Sequence, residues 1–149
     1  MDDPIEILRR AERVVLYDFP DRDVPDALAL AGLDVIVYGG PAPDDVFRRE
    51  GIDGKVVSRK IGVPPESADL AYVFRPLAEL PHILDDAKRM SASTIWRQSG
   101  LDAAGQRDPR GCAPTPDSEE WRQKVEAAGL QYLEAAYIGD VVRRLTASP

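Results

Sequence analysis

Arg75 is the residue whose place in the chain points most directly to chemistry. It follows the run Leu70-Ala71-Tyr72-Val73-Phe74, which shows no alternation of apolar and polar residues, and it precedes Pro76. Such a run is expected of a strand covered on both faces, and proline suits the first turn of a helix, where its missing N–H is not needed. Arg75 is thus predicted at the carboxyl end of a buried strand, the end at which open α/β sheets bind ligands. A guanidinium there either forks onto a phosphate or carboxylate of a ligand or pairs with an acid of the chain itself. The segment alone leaves both readings open.

Other reactive groups are isolated. His82 is the only histidine and Cys112 the only cysteine, so a zinc site of the Cys/His type has no ligand set. His82 falls inside a predicted helix, where a surface or core role is the simpler reading. Cys112 has no histidine or helix N-terminus beside it to activate it, and reads as a plain loop thiol. Asp85 and Asp86 are neighbours on the same predicted helix and so point in different directions, as on a solvated face. The chain contains neither a Gly-x-Gly-x-x-Gly fingerprint nor a Walker A loop.

These residues need a scaffold, and the apolar pattern supplies one. Short apolar runs predict strands at residues 13–18, 33–38, 69–74, 93–97 and 130–134, with an edge strand at 55–58. Helices are predicted at 3–13, 25–31, 44–49, 77–90, 118–128 and 138–145, several of them stopped by glycine. Strand and helix alternate, which argues for an α/β fold: a doubly wound parallel sheet, Rossmann-like, in three layers. The order that fits best is 3-2-1-4-5-6. Trp96 is expected in the core and Trp121 on a helix face packing against the sheet. One chain of 149 residues is expected to form a single domain, with residues 98–120 as a long loop insertion. That loop is either a lid over the rim or a disordered surface segment. As a lid, it would bring Arg107 and Arg110 to the ligand.

In a parallel sheet every carboxyl end lies on one rim, so four loops converge there. They supply Asp18, Phe19 and Arg22 from the first, Tyr38, Gly39, Gly40 and Pro41 from the second, Phe74, Arg75 and Pro76 from the third, and Gln98 from the fourth. This is the expected ligand site.

Composition narrows the class. The chain is 44% hydrophobic and 30% charged, with a formal net charge of −7. Nucleic acid and anionic membrane are poor partners for such a surface as a whole. The lone cysteine allows no intrachain disulfide and suits a reducing cytoplasm. No apolar run reaches the roughly 20 residues of a membrane span, and the acidic N-terminus lacks a signal peptide's basic-then-apolar order. Oligomeric state, including a homo-oligomer, stays open.

Val73-Phe74-Arg75, the downstream Trp96-x-Gln98-x-Gly100 and Glu126-Ala127-Ala128-Gly129-Leu130 together resemble the small bacterial CoA-binding Rossmann-domain proteins. That family is similar in turn to the nucleotide-binding domain of the succinyl-CoA ligase alpha subunit. The resemblance runs from about residue 13 to about residue 138. It implies the same fold and non-covalent binding of coenzyme A, without an established reaction.

The chain departs from the family at its first turn, which normally carries glycine and serine. Here the turn is Tyr17-Asp18-Phe19-Pro20-Asp21-Arg22-Asp23, with no glycine. Asp18, Asp21 and Asp23 are expected to put three carboxylates where a pyrophosphate would lie, offset in part by Arg22. The family's Asn in the second turn is replaced by Gly39, and its cysteine after the last strand has no counterpart among Ala135, Ala136 and Tyr137. Two readings follow. Either CoA is held by the remaining loops, mainly Gly39, Gly40, Phe74 and Arg75, or the fold persists as a module for another ligand or for a protein.

Overall fold

A computed structural model describes residues 3–134 and 136–147. Seven strands form one sheet. They are β1 (Arg13–Tyr17), β2 (Asp34–Tyr38), β3 (Val46–Ile52), β4 (Lys55–Lys60), β5 (Leu70–Val73), β6 (Thr94–Arg97) and β7 (Gln131–Leu133), in the order β4-β3-β2-β1-β5-β6-β7. The strands expected at 33–38, 13–18, 69–74, 93–97 and 130–134 are adjacent in that order and parallel, as β2, β1, β5, β6 and β7. Helices α1 (Pro4–Arg10), α2 (Asp23–Leu30), α3 (Leu80–Arg89), α4 (Ser118–Ala127) and α5 (Ile138–Ala147) cover both faces. No helix among the described residues is long and apolar enough to cross a membrane.

The pleat divides the core into two layers, because successive strand residues face opposite sides. Val14 and Leu16 of β1 pack with Val24 and Leu28 of α2 and Val141 and Val142 of α5. Val15 and Tyr17 pack with Leu80 and Ile83 of α3 and Trp121 of α4. Each fully buried aliphatic side chain contributes about 1.5–3 kcal/mol relative to exposure. Trp96 and Trp121 are both completely buried, on opposite faces of the sheet. The result is the expected three-layer, Rossmann-like α/β fold.

One edge of the sheet differs from expectation. Of residues 44–49, read as a short helix ended by Gly51, 46–49 belong to β3, which pairs antiparallel with β2 and β4. The cause is the Asp53-Gly54 turn, whose two residues both take positive φ (52° and 76°). This is the two-residue turn that matches the twist of a hairpin. The expected order is therefore kept from β2 to β7, while β3 stands between β2 and the expected edge strand, β4.

The long loop is neither disordered nor a lid over the rim. It folds on itself: the Gly100 N–H donates to the Gly111 carbonyl (3.0 Å), Asp102 N–H to Gln106 (2.9 Å) and Ala113 N–H to Leu101 (3.0 Å). It lies on the α2/α5 side, where Cys112 packs against that core layer.

Candidate functional site

Beyond the carboxyl ends of β1 and β2, a crevice of about 800 Å³ opens between the second turn and α3. It lies next to the point where the chain switches direction, β1 being flanked by β2 on one side and β5 on the other. Its size is that of a small-molecule site. Its lining includes Asp18, Tyr38, Gly39, Gly40, Pro41 and Arg75 of the expected residues. Tyr17, Ala42, Pro43, Pro64, Glu79, His82, Ile83 and Asp86 complete it.

The remaining expected residues are placed elsewhere. Phe19 turns to the α2 side of the sheet, with the Arg49 guanidinium 5.8 Å from its ring centroid. Arg22 is exposed at the N-cap of α2, and Pro76 is exposed at the N-cap of the 3-10 turn Leu77–Glu79. Phe74 packs on the core under Gly100. Gln98 is 2% exposed and fully engaged. Its Nε2 donates to the carbonyls of Pro109 (2.8 Å) and Gly111 (3.2 Å), and its Oε1 accepts the Tyr72 hydroxyl. A buried amide must be satisfied somewhere, and here the returning loop satisfies it. Gln98 anchors the loop and does not reach the crevice.

The first turn also differs from expectation. Asp18 itself takes the left-handed conformation (φ 67°), which aspartate tolerates better than most residues. The turn geometry that glycine would supply is thus kept without glycine. Only one of the three aspartates lines the crevice. Asp21, just before α2, accepts the Asp23 N–H at 2.7 Å. Asp23 faces away, where it accepts from the Tyr137 hydroxyl and from Arg143 Nη1 (2.9 Å), with Arg110 at 3.8 Å. So Arg110 of the long loop does bring a cation to the first turn, but on the α2/α5 side. Pro25 removes a further N–H from the first turn of α2. Ala136 and Tyr137 occupy the segment where the family's cysteine is expected; Ala135 lies outside the described residues.

Arg75 stands at the crevice wall, its side chain 40% exposed. Nε donates to both oxygens of Glu79 (3.0 and 3.1 Å), and Nη1 donates to Asp18 Oδ2 (3.2 Å). The hydrogen bonds it donates to Glu79 raise its already high pKa further, so the charge is permanent. Arg75 therefore faces the crevice and is held there by acids of the chain itself.

The crevice floor is a group that the sequence did not disclose. The rings of Tyr17 and Tyr38 lie 4.9 Å apart, and both hydroxyls donate to Asp86 Oδ2, that of Tyr38 at 2.9 Å. Arg89 holds the other oxygen, Oδ1, through Nε (3.0 Å) and Nη2 (2.7 Å). Burial pushes the Asp86 carboxyl up, but the hydrogen bonds from Tyr17, Arg89 and Tyr38 outweigh it and hold the group below the usual range. Burial, reinforced by the Asp86 charge, pushes both phenols well above their ordinary value, so they remain neutral donors. A signal was present: Glu79, His82, Ile83 and Asp86 recur at i, i+3, i+4 and i+7, one stripe of a helix. It marks a face, though not what that face meets.

Comparison with known proteins agrees with this architecture. The crystal structure of Prb, the PH1109 protein redesigned for binding, superposes with a TM-score of 0.60 at 16% identity, covering 99% of this chain and 92% of that one. The structure of cell-free ID.343 from Thermus thermophilus superposes with a TM-score of 0.57 at 20% identity, covering 97% and 99%. At such identities the likeness is one of fold. No curated protein matches the chain. The CoA binding domain family matches residues 23–139, which takes in the sheet from β2 to β7 but leaves out β1 and the altered first turn. That match covers most of the sequence, and the chain belongs to the CoA binding domain family.

Proposed function

We propose that the chain binds coenzyme A or a related nucleotide-type ligand non-covalently in the crevice beyond β1 and β2, with no bond made or broken. The observation that carries this is the coincidence of family membership with a crevice of nucleotide size at the switch point of the sheet. The residues in contact are Asp18, Tyr38, Gly39, Gly40, Pro41 and Arg75.

A second reading, in which the fold persists and CoA is no longer its ligand, is favoured by one observation. The charges that would meet phosphate are already paired within the chain: Arg75 with Glu79 and Asp18, and the Asp23 N–H with Asp21. Titration calorimetry with CoA, acetyl-CoA, ATP and NAD, alongside thermal unfolding, tests the proposal. Saturable binding of CoA at one site per chain, weakened by Arg75→Ala, supports it. A bound state at 100 times Kd gains about 2.7 kcal/mol, so an unmoved Tm at millimolar CoA rejects it.

A further inference from the structure

We propose that the crevice recognises the nucleoside end of its ligand and selects against phosphate, so that an unphosphorylated nucleoside binds more tightly than its nucleotides or CoA. This rests on the reading that the crevice is the ligand site, and it goes further by naming the chemical class. The first argument is charge. The ionisable side chains of the wall are Asp18, Arg75, Glu79, His82 and Asp86. Arg75 is the only permanent cation among them, and it is held between two carboxylates, Glu79 and Asp18. Asp86 is balanced by Arg89 behind it. Leaving His82 out of the count, the wall carries one negative charge in excess, and its one permanent cation is shared.

The second argument is the missing N–H cradle. A helix N-terminus binds phosphate through its free N–H groups. At α2 the Asp23 N–H is taken by the Asp21 side chain and the Val24 N–H by the Asp21 carbonyl (3.3 Å), while Pro25 has none. A pyrophosphate entering from the rim finds Arg75 already shared between two carboxylates and no free N–H at the first residues of α2.

The third argument is what the crevice does offer. The Tyr38 ring, Pro41, Pro43, Pro64 and Ile83 give rigid apolar walls suited to a planar base. Asp18 and Glu79, about half exposed, are acceptors only. They match the hydroxyls of a ribose, which donate, and repel phosphate oxygens, which do not. Those features together describe a donor-rich, uncharged ring and sugar.

Calorimetry with adenosine, guanosine, cytidine, uridine, AMP, ATP and CoA, each at low and at high salt, tests this. One nucleoside is expected to bind at least about tenfold more tightly than its triphosphate or CoA at about 0.01 M salt, where screening is weakest. Nucleoside affinity is expected to be flat with salt, while ATP and CoA gain affinity as salt screens the wall. Glu79→Gln, which removes one carboxylate from Arg75, is expected to move the ATP-to-nucleoside affinity ratio at least about threefold toward ATP. CoA or ATP binding more tightly than every nucleoside at low salt, and weakening with salt, overturns the inference while leaving CoA binding in the crevice intact. No heat from any of the compounds overturns both.

Discussion

The carboxyl rim of the sheet has two sides built from the same kinds of group and put to different use. On the side toward β7, an arginine and a carboxylate are locked together on the α4 face. Arg97 Nη1 lies 3.5 Å from Glu134, with side chains only 8% and 7% exposed, whereas Arg143 and Arg110, which hold Asp23 on the α2/α5 face, are 43% and 59% exposed. On the α3 side Arg75, Asp18 and Glu79 form a comparable triad with roughly half of each side chain in water. An ion pair in solvent is worth about 0–1 kcal/mol and exchanges partners readily. A buried one is costly to break, because the survivor is left charged and unpaired. Burial therefore decides which arginines hold the fold and which stay available to a ligand.

The sharpest way to break this comparison is to remove one arginine from each side. Arg97→Ala is expected to cost about 3–5 kcal/mol, since Glu134 then stays buried without its cation. Urea unfolding measures it. Arg97 also donates to Thr115 (3.0 Å) and stacks over Trp121 (5.0 Å to the ring centroid), so it pins the return of the long loop to α4. Arg75→Ala is expected to change stability by no more than about 1 kcal/mol. If the two substitutions cost the same, the two sides do not differ as argued.

Gly100→Ala sharpens the same comparison at the start of the loop. Gly100 has φ 71°, and an added Cβ would stand 2.6 Å from the Phe74 ring. A loss of about 1–3 kcal/mol is expected, with ligand affinity in the crevice unchanged, because the loop covers the other side. A large drop in affinity would show that the loop couples to the crevice.

The sequence disclosed the parts of this molecule that rest on local pattern. Unalternating runs such as Val14-Val15-Leu16 and Leu70-Ala71-Tyr72-Val73 become the buried parallel strands because both of their faces are covered. β4 was legible as the edge strand at 55–58, but its partner β3 was not, because Phe47-Arg48-Arg49-Glu50 is mostly polar and half-exposed; only the Asp53-Gly54 turn gives it away. Asp18, Tyr38 and Arg75 were legible as rim residues from strand ends alone. Asp86 was not, because its role depends on α3 returning across the ends of β1 and β2, a contact 48 to 69 residues apart in the chain. Gln98 was misplaced for the same reason: its partners are loop carbonyls 11 and 13 residues onward.

A smaller effect separates the two faces of the sheet by pH. The hydrogen bond from Arg143 holds the Asp23 carboxyl below its ordinary value against the opposing effect of burial, and hydrogen bonds do the same for Asp86 on the α3 side. A folded-state pKa below the unfolded one stabilises the fold fully above the unfolded value, about pH 4, and that contribution is lost as pH falls through the folded value. Asp23→Ala is expected to cost about 1–2 kcal/mol at neutral pH and to flatten the acid limb of a stability profile below about pH 4. Tyr17→Phe takes a donor from Asp86 and is expected to raise that carboxyl's pKa, visible by carbon NMR of the side chain. A wild-type acid limb retained in Asp23→Ala would assign acid sensitivity to the α3 side alone.

The smallest expected effect falls on Asp18, the one aspartate of the first turn that faces the crevice. Wild-type affinity for CoA is expected to be no tighter than tens of micromolar, about −6 kcal/mol, because Asp18 and Glu79 share Arg75 and repel phosphate. Asp18→Gly removes one of these charges and suits the backbone, since φ there is already 67°. The Arg75 Nη1 now held at 3.2 Å is released. At an exposed position one charge is worth about 1 kcal/mol, so CoA affinity is expected to rise about three- to tenfold at low salt and less at high salt. Asp21→Asn and Asp23→Asn are expected to leave CoA affinity unchanged, because these side chains accept the Asp23 N–H and bind Arg143 on the α2/α5 face. Equal gains from all three aspartates would mean that a phosphate reaches the N-terminus of α2 after all, and submicromolar CoA binding by the wild type would mean that Asp18 yields Arg75 to the ligand at little cost.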